Sequence, residues 1–192
     1  VKEVVLTGGE VNLYDLPQLV HHEGDAGPYL TAAISFAKDP TAEVWNCAYN
    51  RLMIKGRDTT SIHLTTGKHL WEFHRIAESR GEPLPVAFVI GVHPAIALGA
   101  LAIGSIDEDE RGIMGRLLGE PLELVKCETS DVLVPAQAEL VLEAEILPRE
   151  RTPEGPFGEF TGYSLGQRQR EVGGVKAITH RRDAMFQDIT VA

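Results

Sequence analysis

The sequence predicts an α+β chain rich in strands: an antiparallel β-barrel with helices at its periphery. Strand-like runs follow one another along most of the chain, at Thr59–Thr66, Leu84–Ile90, Leu122–Cys127, Asp131–Val134, Glu139–Ile146 and Val175–His180. One segment, Lys68–Arg80, carries a strong helical period, and two further helices are short.

Residues 1–24 mix short apolar runs, Val4–Leu6 and Leu16–Val20, with Gly8 and Gly9, and read as a strand and a loop. Residues 1–27 fit a linker leading into one domain of residues 1–192. Pro28–Ala37 reads as one buried strand ended by Asp39-Pro40. In Glu43–Lys55 a regular strand would put Trp45, Cys47, Tyr49, Arg51 and Met53 on one face and Asn46 on the other. Asn46 and Arg51 can therefore serve one site only if a bulge or turn lies between them. Gly56-Arg57-Asp58 joins this segment to the β-branched run Thr59–Thr66 as a hairpin.

From Lys68 to Arg80, Leu70, Phe73, Ile76 and Ala77 recur at helical spacing, and Gly81 can end the helix. Leu84–Ile90 is a continuous apolar run of strand length and suits a central strand. Pro94 opens a short helix over Ala95–Ala102, where its missing N–H is not needed. A second short helix spans Glu108–Leu118, with acidic residues at the positive end of its dipole and Gly119 and Pro121 beyond it. In Glu139–Ile146, Leu140, Leu142, Ala144 and Ile146 share one face, while Glu139, Glu143 and Glu145 share the other with Val141. Ser164–Gly174 is polar and reads as a mobile loop. Val175–His180 and Met185–Val191 read as a closing pair of strands around Arg181-Arg182-Asp183.

The 192 residues suffice for one well-cored domain, and 43% apolar with 24% charged residues is ordinary for a globular protein. Eighteen basic against 28 acidic residues give a net charge of −10, which disfavours a general nucleic-acid surface. A bound phosphate would need a local basic group or a metal. Cys47 and Cys127 form neither a disulfide framework nor a zinc pair, which points to a reducing, cytoplasmic setting. No apolar run reaches the roughly eighteen residues of a membrane helix. A first residue other than Met and an abrupt end after DITVA suggest a fragment or processed form of a longer protein.

The decapeptide Glu154–Tyr163 sets Glu154 and Glu159 five positions apart among Gly155, Gly158, Gly162, Pro156, Phe157, Phe160 and Tyr163. Such a turn can be sharp and rigid, and carboxylates held against rings lose hydration, which raises their pKa towards general-acid work. On composition alone the plainer reading is a tight turn into a strand with two solvated glutamates.

The run PEGPFGEFTGY at 153–163 resembles the signature of the UbiD family of decarboxylases, which use prenylated FMN. Asn46–Arg51, Gly67–His69, His93–Ala100, Gly115–Gly119, Val125–Cys127 and Val134–Glu143 resemble the same family in the same order. The resemblance implies the family's middle domain, a split β-barrel of flavin-binding type, with further domains before and after it. It also implies a nonoxidative (de)carboxylase of aromatic, heteroaromatic or α,β-unsaturated acids. In that family the cofactor forms an adduct with the substrate, carbon dioxide leaves, and an acid protonates the carbon. By the same resemblance Glu159 is the proton donor, and Glu154 pairs with Arg51, whose guanidinium orients the substrate carboxylate. Asn46, Tyr49, Arg51, His69 and His93 are cofactor-binding. Asn46, His69 and Glu110 hold Mn²⁺ or Mg²⁺, with K⁺ as a companion ion, and Asp107, Glu108 and Asp109 crowd the last of these ligands.

The family's full-length form implies a homo-oligomer built through a C-terminal domain that also closes the site, so the present chain is expected to fold without turning over substrate. Asn50 and Leu52-Met53-Ile54 depart from the family pattern around its arginine. His74 reads as a packed helix residue and Cys127 as a buried strand residue, while His21, His22 and His63 suggest no role. The competing expectation is a non-catalytic split barrel that holds ordinary FMN or a partner subunit.

Overall fold

A computed structural model describes residues 1–190. In chain order its elements are β1 (Val4–Thr7), β2 (Tyr29–Leu30), β3 (Ile34–Lys38), β4 (Trp45–Tyr49), β5 (Leu52–Ile54), β6 (Thr59–Ile62), α1 (His69–Ser79) and β7 (Leu84–Ile90). There follow α2 (Pro94–Gly99), α3 (Glu110–Leu118), β8 (Leu124–Lys126), β9 (Leu133–Pro135), β10 (Leu140–Glu154), β11 (Phe157–Gly158), β12 (Ser164–Leu165) and β13 (Arg168–His180). Among the described residues a nine-stranded sheet runs β2-β5-β6-β13-β10-β7-β3-β4, with β1 paired to β13. Its pairings are antiparallel.

The strand order explains the shape. β4 is one edge and β5 lies beside the other, yet only Asn50 and Arg51 separate them in sequence. A link of that length spans at most about 11 Å between the flanking Cα atoms. The two edges must therefore be brought together, and the sheet curls into a split barrel. β2 and β3 impose the same closure through residues 31–33.

The middle of the sheet is buried on both sides. Leu84, Val86, Phe88 and Ile90 of β7, with Leu140, Leu142, Ala144 and Ile146 of β10, pack with Leu70, Phe73 and Ala77 of α1. Ala87, Val89 and Val141 point the other way, into a cluster with Trp45, Ile96 of α2, Met114 of α3 and Val134 of β9. This two-sided burial is why Leu84–Ile90 reads as an unbroken apolar run. Both cysteines are free and buried; burial pushes the Cys127 thiol up to about 12 and the Cys47 thiol well above its ordinary value, which keeps both protonated.

Several expectations are corrected. Pro28–Ala37 is two strands, because the chain leaves the β2 edge and crosses to β3 within it. Ser164–Gly174 is not a loop: it forms β12 and the first half of β13, where Arg168–Glu171 pair with Arg151–Glu154. Its polarity reflects an extension of the sheet with little apolar burial. Met185–Thr190 form no strand, because β10 and β1 already occupy both sides of Ala177–His180; Val191 lies outside the described residues. Asp188 instead pins this segment, accepting from the Thr31 amide at 2.9 Å. Glu143 is buried on the face it shares with Val141, and accepts from the Glu128 amide at 2.9 Å and the Thr129 amide and hydroxyl at 2.8 Å each, anchoring the β8–β9 turn. Residues 1–27 contribute β1 and bury Val11 and Leu13.

Gly91 ends β7 at φ +75°, and a Cβ there would lie 2.6 Å from Glu139 Cβ and 3.0 Å from the Met185 carbonyl oxygen. Gly91→Ala is expected to destabilise by roughly 2–5 kcal/mol, combining left-handed backbone strain with overpacking. A urea titration checks it: the midpoint should fall at constant slope, whereas an unchanged midpoint would mean that this turn relaxes freely.

Candidate active site

Two groups of side chains lie either side of the crossing between β4 and β5. The required interruption is present, since Asn50 and Arg51 belong to neither strand. Asn46 on β4 and Arg51 beyond the break are thereby directed to different partners.

Arg51 binds two glutamates. Its Nε and Nη2 donate to Glu154 Oε1 and Oε2 at 2.9 and 3.3 Å, and Nη1 donates to Glu159 Oε1 at 3.1 Å. The Arg51 and Glu154 side chains are only 13% and 2% exposed, against 28% for Glu159. A buried pair of this kind depends on both members, and removing one leaves an uncompensated charge at a cost of about 3–5 kcal/mol. Glu154 ends β10, so the longest strand fixes its carboxylate, while Glu159 follows β11 in the short β11–β12 hairpin. Arg170 Nε lies 3.6 Å from Glu154 Oε2 and supplies a second positive neighbour.

Phe157 packs under the arginine, with the guanidinium 4.6 Å from its ring centroid, and Tyr29 lies 4.4 Å from Phe157 between centroids. Burial, and then Glu154, hold the Tyr29 phenol far above its ordinary pKa, so it stays protonated. The expected ring of aromatics is only partly present: Phe160 and Tyr163 are 78% and 79% exposed, at the hairpin tip, and Phe157 alone of the three is buried. The hairpin rests on the N-terminal loop, where Asp25 Oδ1 accepts from the Gly158 amide at 2.8 Å. A Cβ at Gly158 would meet the His22 ring at 2.5 Å, so that position needs glycine for close approach.

Asn46, His69 and Glu110 also come together. Asn46 Nδ2 donates to Glu110 Oε1 at 2.9 Å, and His69 Nδ1 lies 3.7 Å from the same oxygen and 3.5 Å from Asn46 Nδ2. Glu110 Oε2 accepts from the Cys47 amide at 3.1 Å. Burial raises the Glu110 pKa, opposed by these donors. Of the four crowded acidic residues, Asp109 is committed elsewhere: it caps α3 and binds Arg111, which stacks 4.2 Å from the Trp45 ring centroid. That contact holds the first turn of α3 on β4 and directs Glu110 at Asn46.

Among the described residues no three His, Cys, Asp or Glu side chains form a metal cluster; here the third donor would be an amide. Asn46 Oδ1 is buried without a hydrogen-bond partner, and an amide oxygen, an imidazole and a carboxylate suit a divalent cation such as Mn²⁺ or Mg²⁺. The set opens into a cavity of about 400 Å³ whose wall includes Tyr49, Asn50, Leu64, Lys68, Trp71 and Ile103. His93 lies outside that lining and caps α2, its Nδ1 accepting from the Ala95 amide at 3.2 Å.

His63 lies just past β6, and nothing in its neighbourhood of the sequence marks it. Burial, and then Arg170 and Arg51, lower its pKa, while Glu154 and Glu159 oppose them. It therefore belongs to the electrostatic surroundings of the Arg51 cluster. With a folded pKa below the unfolded one, the unfolded chain binds more protons, so this contribution to stability is lost as pH falls through about 6.5 towards the folded midpoint. A ring-proton NMR titration of His63 should give a midpoint below 6.5 that rises in Arg170→Ala. A wild-type midpoint at or above 6.5 would remove His63 from this field.

The chain matches the family described as UbiD, 3-octaprenyl-4-hydroxybenzoate carboxy-lyase Rift-related domain, over residues 1–192. It is similar in structure to the UbiD-class enzyme HmfF from Pelotomaculum thermopropionicum in complex with FMN, with TM-score 0.96 and 47% identity over 100% of this chain and 43% of that one. An evolved dimeric form of HmfF in complex with prFMN gives TM-score 0.96 and 47% identity over 100% of this chain and 44% of that one. In sequence, the chain is 38% identical over 184 residues to the anhydromevalonate phosphate decarboxylase of Methanothermobacter thermautotrophicus, covering 96% of this chain and 43% of that protein. It thus spans about two fifths of the length of these relatives. Matched from end to end and built on the same curled sheet, the chain belongs to the UbiD family, as its Rift-related domain.

Proposed function

We propose that this domain is the cofactor-binding core of a nonoxidative decarboxylase acting on aromatic, heteroaromatic or α,β-unsaturated carboxylic acids. The observation that carries the reading is the buried Arg51–Glu154 pair, with a more exposed Glu159 on the same guanidinium. UbiD-class relatives hold FMN or prFMN. Prenylated FMN, when bound, supplies the electron sink for the negative charge left as carbon dioxide departs, which side chains cannot provide.

The residues have divided roles. Glu154 holds Arg51 from one side by a bidentate contact, so the guanidinium keeps its orientation while part of its donor edge faces the second carboxylate. A substrate carboxylate takes its alignment from that edge. Glu159, the less buried acid, delivers a proton to the substrate carbon after carbon dioxide leaves. Asn46, His69 and Glu110 would hold a divalent ion beside the cofactor phosphate, with K⁺ alongside. The cation offsets phosphate repulsion in a chain of net charge −10. Tyr49 and Lys68 line the cavity for the flavin. The full-length protein is a cytoplasmic homo-oligomer whose remaining parts cover the site. The domain alone leaves the site open to water and does not turn over.

The test is to purify the full-length polypeptide, identify the released flavin by mass spectrometry, and measure carbon dioxide release from cinnamic, benzoic and furoic acids. Prenylated FMN with turnover is expected; ordinary FMN and no turnover would favour a non-catalytic flavin or partner-binding module.

Glu159→Gln should retain the flavin and lose about 10²-fold or more of turnover, as removal of a general acid does; full activity would remove its role. Glu154→Gln should also impair turnover, through Arg51. Asn46→Ala and His69→Ala should each weaken Mn²⁺ binding about tenfold or more, read by electron paramagnetic resonance of the free ion; unchanged binding in both would place the metal elsewhere.

A further inference from the structure

Asn50 stands where the chain crosses between the two edges of the sheet. Its contacts reach both. On the β3 side its amide donates to the Ala33 carbonyl at 3.0 Å, and its Oδ1 accepts from the Ser35 hydroxyl at 2.8 Å. On the β6 side its Nδ2 donates to the His63 carbonyl at 3.3 Å. Ser35 is fully buried, so its hydroxyl is confined to Asn50 Oδ1 and the Ala48 carbonyl, 2.9 Å away. A side-chain amide offers an acceptor and a donor on one short stem, which lets a single residue join an edge that presents a hydroxyl to one that presents a carbonyl.

We infer that Asn50 is a positioning residue that clasps the two edges of the split barrel and thereby fixes the direction in which Arg51 leaves the crossing. Arg51 is the next residue and must meet Glu154 with two donors and Glu159 with a third. A small rotation of the crossing would spoil the bidentate fit. Asn50 also lines the cavity of about 400 Å³ into which the Asn46 group opens. The clasp therefore holds the Asn46 group and the Arg51 group in one fixed relation across the seam. For catalysis this rests on the decarboxylase reading; for the geometry of Arg51 it does not.

Two measurements separate these. In the ¹⁵N-arginine-labelled chain, with the Arg51 Nε–H signal identified by its loss in Arg51→Lys, hydrogen exchange reports whether the guanidinium stays bound to Glu154. Asn50→Ala and Ser35→Ala should each speed that exchange about tenfold or more while the β7 amides keep wild-type protection. Arg51 exchange unchanged in both variants would overturn the inference. If Asn50→Ala loses β7 protection and so fails to fold, Ser35→Ala, whose side chain is not part of the cavity lining, decides. In the full-length polypeptide Ser35→Ala, which leaves the cavity lining unchanged, should keep its flavin and raise KM at least tenfold, because Arg51 meets the substrate carboxylate. An unchanged KM beside faster Arg51 exchange would confine the clasp to structure and overturn its catalytic part. Absence of turnover in the wild type would overturn the decarboxylase reading and leave the exchange result standing.

Discussion

The closure of the sheet is the constraint on which the rest depends. Consecutive strands placed at opposite ends of one sheet leave the chain a choice between a long connection and a curled sheet, and a two-residue link removes the first option. Curling gives the sheet a closed face for Phe73 and Phe88, and it sets residues of one edge beside residues of the other. The candidate site residues sit along that meeting line. Arg51 comes from the crossing itself, Asn46 from the last strand of one edge, and Glu154 from the end of the strand at the middle of the sheet.

Charge then decides which neighbours are tolerable. An acidic protein that buries Glu154, Glu143 and Glu110 must give each a separate source of hydrogen bonds. Glu154 has the Arg51 guanidinium, with Arg170 only as a second positive neighbour; Glu143 has two amides and a hydroxyl; Glu110 has the Cys47 amide and the Asn46 side chain. The first solution uses charge and the second uses mainly backbone. The third leaves the Asn46 side-chain oxygen buried without a hydrogen-bond partner.

Much of this was legible in the sequence, for identifiable reasons. The helix at His69–Ser79 and the strand at Leu84–Ile90 follow from periodicity and burial on one or two sides, both local properties. The parity of Asn46 and Arg51 makes a shared site conditional on a break between them; the break is present, and the two side chains take different partners. What escaped reading depends on partners distant in sequence. The polar start of β13 is a strand because β10 extends alongside it; Met185–Thr190 is not, because its neighbours are taken. His63 and Asn50 acquire their significance only when residues about a hundred positions away, or across the sheet, arrive. The grouping of Asn46, His69 and Glu110 is implied by the resemblance to a family motif, since spacing alone does not bring them together.

The hairpin that carries Glu159 has no scaffold of its own. It is held by Asp25, 133 residues earlier, and Arg51 meets Glu154 across 103 residues, while Thr31 and Asp188 are joined across 157. Contacts of such separation incur their loop-closure entropy before they return any stability, whereas the β5–β6 and β8–β9 hairpins close locally. The order of folding follows from this: the local hairpins and α1 can form early, and the pairing of Arg51 with its two carboxylates comes among the last events. A chain halted short of that point would carry most of its sheet and none of its chemistry.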